Sequence, residues 1–229
     1  MKFKCYATGS NGNFYILENS RGKQLVIELG IKYIKIITKI NYDKTQAILI
    51  SHNHSDHNYN NNDVKFSNLN IPIIKPENVI LNKPLIFGDR DFVVIPIKAY
   101  HNVNCVSYLI RCDNKTILFA TDTNKITKVS CKIDYLICEV NHIQKNIINL
   151  TMYDKDNEFY HLTQSFKNHH SLEEMEFYLQ SLNYKPDKLL VIHWSSTKAF
   201  DKDLVVESLG KYIKDPIIIV KKGEYILWK

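Results

Sequence analysis

Short apolar runs separated by turn-forming residues make up most of this chain. Runs rich in Ile, Val, Leu, Phe and Tyr, bounded by Gly, Pro, Asn and Asp, are typical of β-strands. Polar turns between neighbouring runs, such as Asn19–Gly22 and Gly88–Arg90, favour hairpins. The runs predict strands over residues 3–7, 14–17, 24–28, 47–50, 92–97, 105–111, 116–120, 133–138, 189–192, 217–220 and 225–228.

Helices are predicted in fewer places. Ser171 followed three residues later by Glu174 matches a capping box, so a helix should begin there and end near Leu182. Residues 201–213 favour another helix, and residues 31–42 a short one. Residues 58–63 are polar and predicted to be irregular, while residues 143–170 have no clear periodicity.

Composition limits the classes of protein that this chain can represent. Its 229 residues, 45% of them hydrophobic, suit a globular protein with a substantial core, and without an interdomain linker we expect one domain over 1–229. A net charge of +6 without a run of basic residues is compatible with an anionic substrate but does not establish one. The five cysteines show no C-x-x-C pair, and no signal peptide or membrane span is evident. These features predict a reduced, cytoplasmic protein that does not enter a membrane.

The segment Ser51–His57 has the highest density of potential metal ligands in the chain. It directly follows the apolar run Ala47–Ile50, so its side chains should project from the end of a buried strand. His52 and His54 are two residues apart and point the same way in an extended segment. The side chains of Asp56 and His57 face a second point only if the chain turns after Ser55. Imidazole and carboxylate groups in this spacing predict a site for two divalent transition metals.

Three further metal-capable residues occur in the same setting. His101 follows the predicted strand over 92–97, Asp122 ends the run Thr116–Thr121, and His193 ends the run Leu189–Ile192. A single histidine at a strand end is more often satisfied by a backbone carbonyl. Several such positions on one rim instead predict one metal centre.

In this order the metal-capable residues resemble the signature of the metallo-β-lactamase superfamily. The resemblance spans nearly the whole chain and implies an α/β αββα sandwich, in which two mixed β-sheets are flanked by helices. It also implies one metal on His52, His54 and His101, a second on Asp56, His57 and His193, and Asp122 as the bridge. We expect two Zn²⁺ ions, with Mn²⁺ as the alternative. An aspartate bridge is similar to that of the phosphodiesterases in this superfamily.

Other segments refine the resemblance. The loop Thr8–Asn13 resembles the S-G-S-x-G-N opening of YycJ-type proteins, and Glu139-x-Asn141-His142 resembles their E-x-N-H segment. The segment Asn168–Ser171 is similar to G-H-L-S, with His169 on the family histidine, and His193-Trp194-Ser195 resembles the H-x-S pattern of tRNase Z. Phage phosphodiesterases that degrade the cyclic nucleotides of Pycsar defence share this framework. The bias toward asparagine, lysine and isoleucine fits an AT-rich genome, and a viral source would imply the host cytoplasm.

Phosphoester hydrolysis also needs groups that are not metal ligands. Two dications acidify a water molecule and neutralise phosphoryl oxygens, and Asp56 could orient the attacking hydroxide. His169 is our candidate for the proton donor to the leaving group, with Glu139 as the partner that sets its tautomer. Its rivals His142, His161 and His170 are more simply explained as surface histidines. Ser195 could bind phosphate or equally cap a helix.

The substrate is less well defined by the sequence. No basic track with stacking aromatics and no inserted nucleic-acid-binding domain is visible, so a small nucleotide is the leading prediction. The expected activity is hydrolysis of cyclic nucleotides to linear monophosphates by a homodimer. The alternatives are a YycJ-like DNA exonuclease, a tRNase Z-like endoribonuclease or a non-enzymatic nucleotide sponge. Within residues 143–170, three aromatic residues could line a substrate lid, reach across a dimer interface or merely pack down in a solvated loop: Tyr153, Phe159 and Tyr160.

Overall fold

Two mixed β-sheets dominate the computed structural model, which describes residues 1–153 and 167–227. The first sheet has the strand order β13-β1-β2-β3-β4-β5, and the second has the order β12-β11-β10-β9-β8-β7-β6. The first sheet contains β1 Lys2–Ala7, β2 Phe14–Glu18, β3 Gln24–Ile27, β4 Thr45–Leu49, β5 Ile73–Ile74 and β13 Gly223–Ile226. The second contains β6 Leu85–Phe87, β7 Phe92–Lys98, β8 Val106–Cys112, β9 Lys115–Ala120, β10 Tyr135–Glu139, β11 Lys188–Ile192 and β12 Ile218–Ile219.

Strand direction changes once within each sheet. From β13 to β3 the first sheet is antiparallel, whereas β3, β4 and β5 run parallel. From β6 to β9 the second sheet is antiparallel, whereas β9 to β12 run parallel. Parallel strands that are covered on both faces should be continuously apolar, and β10 and β4 are almost entirely buried.

The core lies between the sheets, with a second apolar layer outside each one. Along β9 the side chains alternate, since Ile117 and Phe119 belong to the inner cluster and Leu118 and Ala120 to the outer one. Four helices cover the outer layers: α1 Tyr33–Ile37, α2 Asn62–Phe66, α4 Leu172–Gln180 and α5 Lys202–Gly210. A fifth helix, α3 Gln144–Tyr153, instead packs Ile147 against Ala199. The predicted αββα sandwich is confirmed.

The capping box predicted at the start of α4 is present. Ser171 Oγ accepts a hydrogen bond from Glu174 N at 3.1 Å, and Glu174 Oε2 accepts one from Ser171 N at 3.0 Å. Together they satisfy two of the amide groups that a helix start leaves free. The helix lays Met175 and Leu179 on the outer face of the second sheet.

Several predicted boundaries were wrong, and tertiary contacts explain two of them. The stretch 58–63 is not wholly irregular, because α2 begins at Asn62, whose side-chain amide donates to Leu29 O and Ile31 O at 2.9 and 2.8 Å. A helix, α3, occupies 144–153, and Glu173 accepts hydrogen bonds from Gln144 N at its start. The last strand covers Gly223–Ile226 rather than 225–228, and α1 is shorter than the predicted 31–42. None of the described helices has the length and apolar character needed to cross a bilayer.

Candidate metal centre

Four strand ends bring the predicted ligands to one edge of the sandwich. The segment Ser51–His57 follows β4 of the first sheet, whereas His101, Asp122 and His193 follow β7, β9 and β11 of the second. At this edge the carboxylate of Asp122 lies within 4 Å of a ring nitrogen of His52, His57, His101, His169 and His193. The structure thus brings all seven predicted ligands together.

The turn expected after Ser55 is present. His57 N and Asn58 N donate to His54 O at 2.9 and 2.8 Å, which closes one tight turn. Because of this turn, His52 and His54 face one point while Asp56 and His57 face another. A seven-residue segment therefore supplies side chains to two neighbouring sites.

One group of potential ligands consists of His52, His54, His101 and Asp122, whose ligand atoms all lie within 4.8 Å of one another. His101 Nε2 is 3.3 Å from His54 Nδ1, and Asp122 Oδ2 is 3.8 Å from both His52 Nε2 and His101 Nε2. Burial, with help from the neighbouring imidazoles, lowers the pKa of His52 to about 2, so this ring keeps its lone pair at neutral pH.

A second group consists of Asp56, His57, His193 and again Asp122. Asp56 Oδ2 is 3.3 Å from His57 Nε2 and from His193 Nε2, while Asp122 Oδ1 is 3.3 and 3.4 Å from the same two nitrogens. The two oxygens of Asp122 thus face different groups, Oδ2 the first and Oδ1 the second. This is the arrangement that a bridging carboxylate requires.

The residues present fit two divalent cations. Four ligands at about 2.0–2.1 Å around a zinc ion lie roughly 3.3 Å from one another. The second group has separations of 3.3 and 3.4 Å, and the first has separations of 3.3 and 3.8 Å. His52 Nε2 is buried and has no hydrogen-bond partner among the described residues, although it points at this cluster. An unsatisfied buried nitrogen is costly unless a ligand occupies its lone pair.

The carboxylates of the cluster attract positive charge strongly. Burial opposes protonation of His193, but Asp122, Asp56 and Glu139 outweigh it and raise its pKa to about 10. Burial likewise opposes ionisation of Asp122, yet His193 and His57 hold its pKa well below the usual range. A dication entering the site would compete with these protons for the imidazole nitrogens.

Three strand ends share an uncommon backbone conformation. Glu28, Asp122 and His193 follow β3, β9 and β11 and have φ values of 62°, 46° and 47°. Residues other than glycine seldom adopt this left-handed conformation, which costs of the order of 1–3 kcal/mol and clusters at functional sites. In each case the conformation turns a ligand or a residue in contact with one into the centre.

Sequence reasoning did not assign a role to Glu28, which the structure places directly behind the ligands. Its carboxylate is fully buried, accepts a hydrogen bond from Ser51 N at 3.2 Å and lies 3.4 Å from His57 Nδ1. Ser51 Oγ in turn lies 2.9 Å from His52 Nδ1. Such contacts fix the ring orientation of a ligating histidine. Glu28 directly follows an apolar run, the same signal that identified the other strand-end residues.

His169 and Glu139 form a pair beside the second group. His169 Nδ1 is 3.0 Å from Glu139 Oε2, and Glu139 Oε1 accepts hydrogen bonds from Thr123 N and His170 N at 2.8 and 3.0 Å. Burial would lower the pKa of His169, but Glu139 and Asp122 outweigh it and raise the value. The His169 side chain is 17% exposed and lines a cavity, so the ring is accessible to a bound molecule.

Two of the three rival histidines, His142 and His170, were wrongly interpreted as surface residues. His142 and His170 are 1% and 2% exposed, because residues 142 and 171 pair as an isolated β-bridge that draws this segment inward. His161 lies outside the described residues.

The proposed substrate contacts have mixed outcomes. Ser195 lines the cavity and does not cap a helix, because Asp201 is the N-cap of α5 and Ser195 Oγ instead accepts from Thr197 N at 3.2 Å. Tyr153 is the last residue of α3, and its side chain lies outside the described part of the structure. Phe159 and Tyr160 also fall outside the described residues.

A cavity of about 510 Å³ opens over both ligand groups. Its volume is within the range that encloses drug-sized molecules. None of the described residues that line it is a lysine or arginine. Besides the ligands and His169, the lining is made of Ser10, Asn102, Asn141, Asn168, Trp194, Ser195, Ser196 and Thr197.

Comparison with solved structures identifies the architecture. The chain superposes on the metallo-β-lactamase fold protein YhfI from Bacillus subtilis with a TM-score of 0.71 and 18% identity, covering 98% of this chain and 99% of YhfI. It is also similar to the short form of human tRNase Z, with a TM-score of 0.61 and 11% identity over 100% of both chains. A third similar structure is a diphosphatase of the PhnP family, with a TM-score of 0.59, 12% identity and coverage of 99% and 98%. No protein-family model and no curated protein matches the sequence. The chain therefore has the metallo-β-lactamase fold.

Proposed function

We propose that this protein is a metal-dependent phosphodiesterase that hydrolyses cyclic nucleotides to linear monophosphates. The observation that carries this proposal is the double ligand cluster around Asp122, which lies beneath a cavity of about 510 Å³. Bound there, two divalent cations would supply Lewis acidity that neutralises a phosphodiester and acidifies a water molecule. Zinc suits the imidazole-rich donor set, and manganese is the alternative.

The residues around the cluster have complementary roles in this reaction. Asp56 lies at the second ligand group, where its carboxylate can orient an attacking water. His169 lines the cavity and protonates the departing ribose oxygen, and the contact of Glu139 with Nδ1 leaves Nε2 as the nitrogen that carries this proton. Ser195, on the cavity wall, is the candidate for a hydrogen bond to a phosphoryl oxygen.

The composition of the cavity wall favours a small nucleotide over a nucleic acid. A track for DNA or RNA neutralises successive phosphates with lysine and arginine, and none lines the described part of this cavity. The structural similarity to tRNase Z and to a PhnP-family diphosphatase supports chemistry at phosphorus without defining the substrate. The resemblance to phage anti-Pycsar enzymes supports removal of a cyclic nucleotide signal, which would counter an antiviral defence. The YycJ-like exonuclease is the competing candidate.

Single-turnover product analysis distinguishes these candidates. We expect zinc-loaded protein in excess over a 3′,5′-cyclic mononucleotide to yield one linear monophosphate per substrate, whereas single-stranded DNA remains intact. Degradation of the DNA with the cyclic nucleotide untouched would instead identify an exonuclease.

The role of His169 can be tested separately. His169→Gln should slow hydrolysis of a cyclic nucleotide by roughly 10²–10⁴-fold, the usual contribution of a general acid. With bis(p-nitrophenyl) phosphate the loss should be much smaller, because nitrophenolate leaves without a proton. Equal losses on both substrates would exclude a role as proton donor.

A further inference from the structure

The side chain of Asn13 contacts two residues of the second ligand group. Asn13 is fully buried, and its Nδ2 lies 3.1 Å from His57 Nε2, 3.1 Å from Asp56 O and 3.5 Å from Asp56 Oδ2. Its Oδ1 accepts hydrogen bonds from Tyr15 Oη and Gly9 N, both at 2.9 Å. These two bonds fix the orientation of the amide, so that its N–H groups face Asp56 and His57.

Tyr15 extends the same network to another ligand. Its ring is fully buried, and its hydroxyl also contacts Thr8 Oγ1 at 2.8 Å. Thr8 Oγ1 accepts a hydrogen bond from His193 N at 2.9 Å. Since His193 has a φ of 47°, this bond holds its backbone in a conformation that it would otherwise avoid. We call the side chains of Thr8, Asn13 and Tyr15 the support network.

Backbone hydrogen bonds also join the support network to the turn that carries Asp56. Asn13 N donates to Asp56 O at 2.7 Å, and Gly30 N donates to Asn13 O at 2.9 Å. A Cβ atom at Gly30 would lie 1.6 Å from Asp56 O, so only glycine allows these segments to approach so closely.

The first ligand group is held by different contacts. His52 Nδ1 lies against Ser51 Oγ at 2.9 Å, and His101 Nδ1 lies 3.1 Å from Asn168 O. No described hydrogen bond joins Thr8, Asn13 or Tyr15 to a histidine of this group. The two groups share Asp122 and the hydroxyl of Ser51, which also lies 3.4 Å from His57 Nδ1, whereas the described contacts of the support network reach only the second group.

We propose that Thr8, Asn13 and Tyr15 are positioning residues that set the cation affinity of the Asp56–His57–His193 group independently of the His52–His54–His101 group. The inference rests on the proposed function only in requiring that two cations bind. The network holds the Asp56 turn and the His193 backbone in place before a cation arrives. Its contact with His57 Nε2 would be replaced by the cation, because that nitrogen faces the carboxylates of the group. Loss of an outer contact of this kind typically costs 10–100-fold in metal affinity.

The test uses two variant proteins as backgrounds, each of which retains only one complete ligand group. In His101→Ala protein the first group lacks a ligand, and in His193→Ala protein the second group does. Zinc affinity is measured in both by competition with a chromophoric chelator, which requires no turnover. We expect Tyr15→Phe to weaken zinc binding about 10–100-fold in the His101→Ala background. The same substitution should change the affinity by less than threefold in the His193→Ala background.

A matched control is available in the same core. Tyr108 is also fully buried, and its hydroxyl donates to Ile50 O at 2.7 Å without contacting the support network. Tyr108→Phe therefore removes a buried hydroxyl of the same kind, and we expect less than a threefold change in zinc affinity in either background. Asn13→Ala should reproduce the effect of Tyr15→Phe, and Tyr15→Phe alone decides the test if Asn13→Ala fails to fold.

The outcomes separate this inference from the proposed function. Equal weakening of both groups by Tyr15→Phe, or an effect no greater than that of Tyr108→Phe, would overturn the inference while two-cation binding by the unmodified chain stands. Failure of the unmodified chain to bind two zinc ions would overturn both. Selective weakening together with no hydrolysis of any phosphodiester would uphold the inference and reject the proposed function.

Discussion

Gly30→Ala is expected to damage the metal centre from outside it. Gly30 lies between the turn that carries Asp56 and the loop Thr8–Asn13. An added Cβ there would lie 1.6 Å from Asp56 O and 2.7 Å from Asn13 N. Real Cβ atoms essentially never approach closer than 3.0 Å, so the two segments must separate by about 1.4 Å. Asp56 would then move away from the position where its carboxylate meets His57 and His193.

The magnitude follows from that displacement. A misplacement of about 1 Å in a catalytic group can cost roughly 10²-fold in rate, so we expect at least that loss in kcat. Overpacking costs about 1–3 kcal/mol, and each of the two backbone hydrogen bonds at Asn13 contributes about 1 kcal/mol. Together these losses come to about 3–5 kcal/mol, which for a chain of this size lowers the melting temperature by roughly 6–20 °C.

The assay compares Gly30→Ala with Gly210→Ala in turnover and in calorimetric melting. Gly210 lies at the end of α5, and an added Cβ there meets nothing within 4 Å. Alanine is favoured over glycine in helices by up to about 1 kcal/mol, so the control should keep full turnover with an equal or higher melting temperature. If Gly30→Ala retains turnover within threefold of the unmodified chain, the close approach at Asp56 is not required and the reasoning fails.

Four further predictions concern the cations, the fold, the lid and the assembly. Asp122→Ala should lower bound zinc, measured by elemental analysis, below two ions per chain and abolish turnover, and two retained ions would contradict the bridging role. Ser171→Ala should cost about 1 kcal/mol in the free energy of unfolding, measured with urea, and no change would show that the capping box is dispensable. If residues 143–170 line the substrate, joint replacement of Tyr153, Phe159 and Tyr160 by alanine should reduce cyclic-nucleotide turnover at least about fivefold more than bis(p-nitrophenyl) phosphate turnover. Equal losses on both substrates would indicate a structural role. Sedimentation at micromolar concentration should show a homodimer, and a fully active monomer would refute that expectation.

The ligand positions could be predicted because apolar strands and the residues that follow them leave a local signal. Asp122 and His193 each end an apolar run, and the edge where they meet follows from the fold that such runs build. The turn after Ser55 could be predicted from geometry alone, since Asp56 and His57 point to opposite faces of an extended segment and can face one second point only if the chain turns.

The surroundings of the ligands could not be predicted in the same way. Asn13 acts through an amide whose orientation depends on Tyr15 and Gly9, and its contact with Asp56 joins residues 43 positions apart. The start of α3 likewise depends on Glu173, which lies 29 residues after Gln144. Contacts between distant segments leave no periodicity in either segment, so only the folded chain shows them.

Zinc titration of turnover tests the central claim most directly. Protein stripped with a chelator is supplied with increasing equivalents of Zn²⁺, and hydrolysis of a 3′,5′-cyclic mononucleotide to its linear monophosphate is measured at each step. The two ligand groups around Asp122 predict no hydrolysis without zinc and a plateau at two equivalents per chain. Hydrolysis by the stripped protein, or no hydrolysis with two zinc ions bound, would contradict the account.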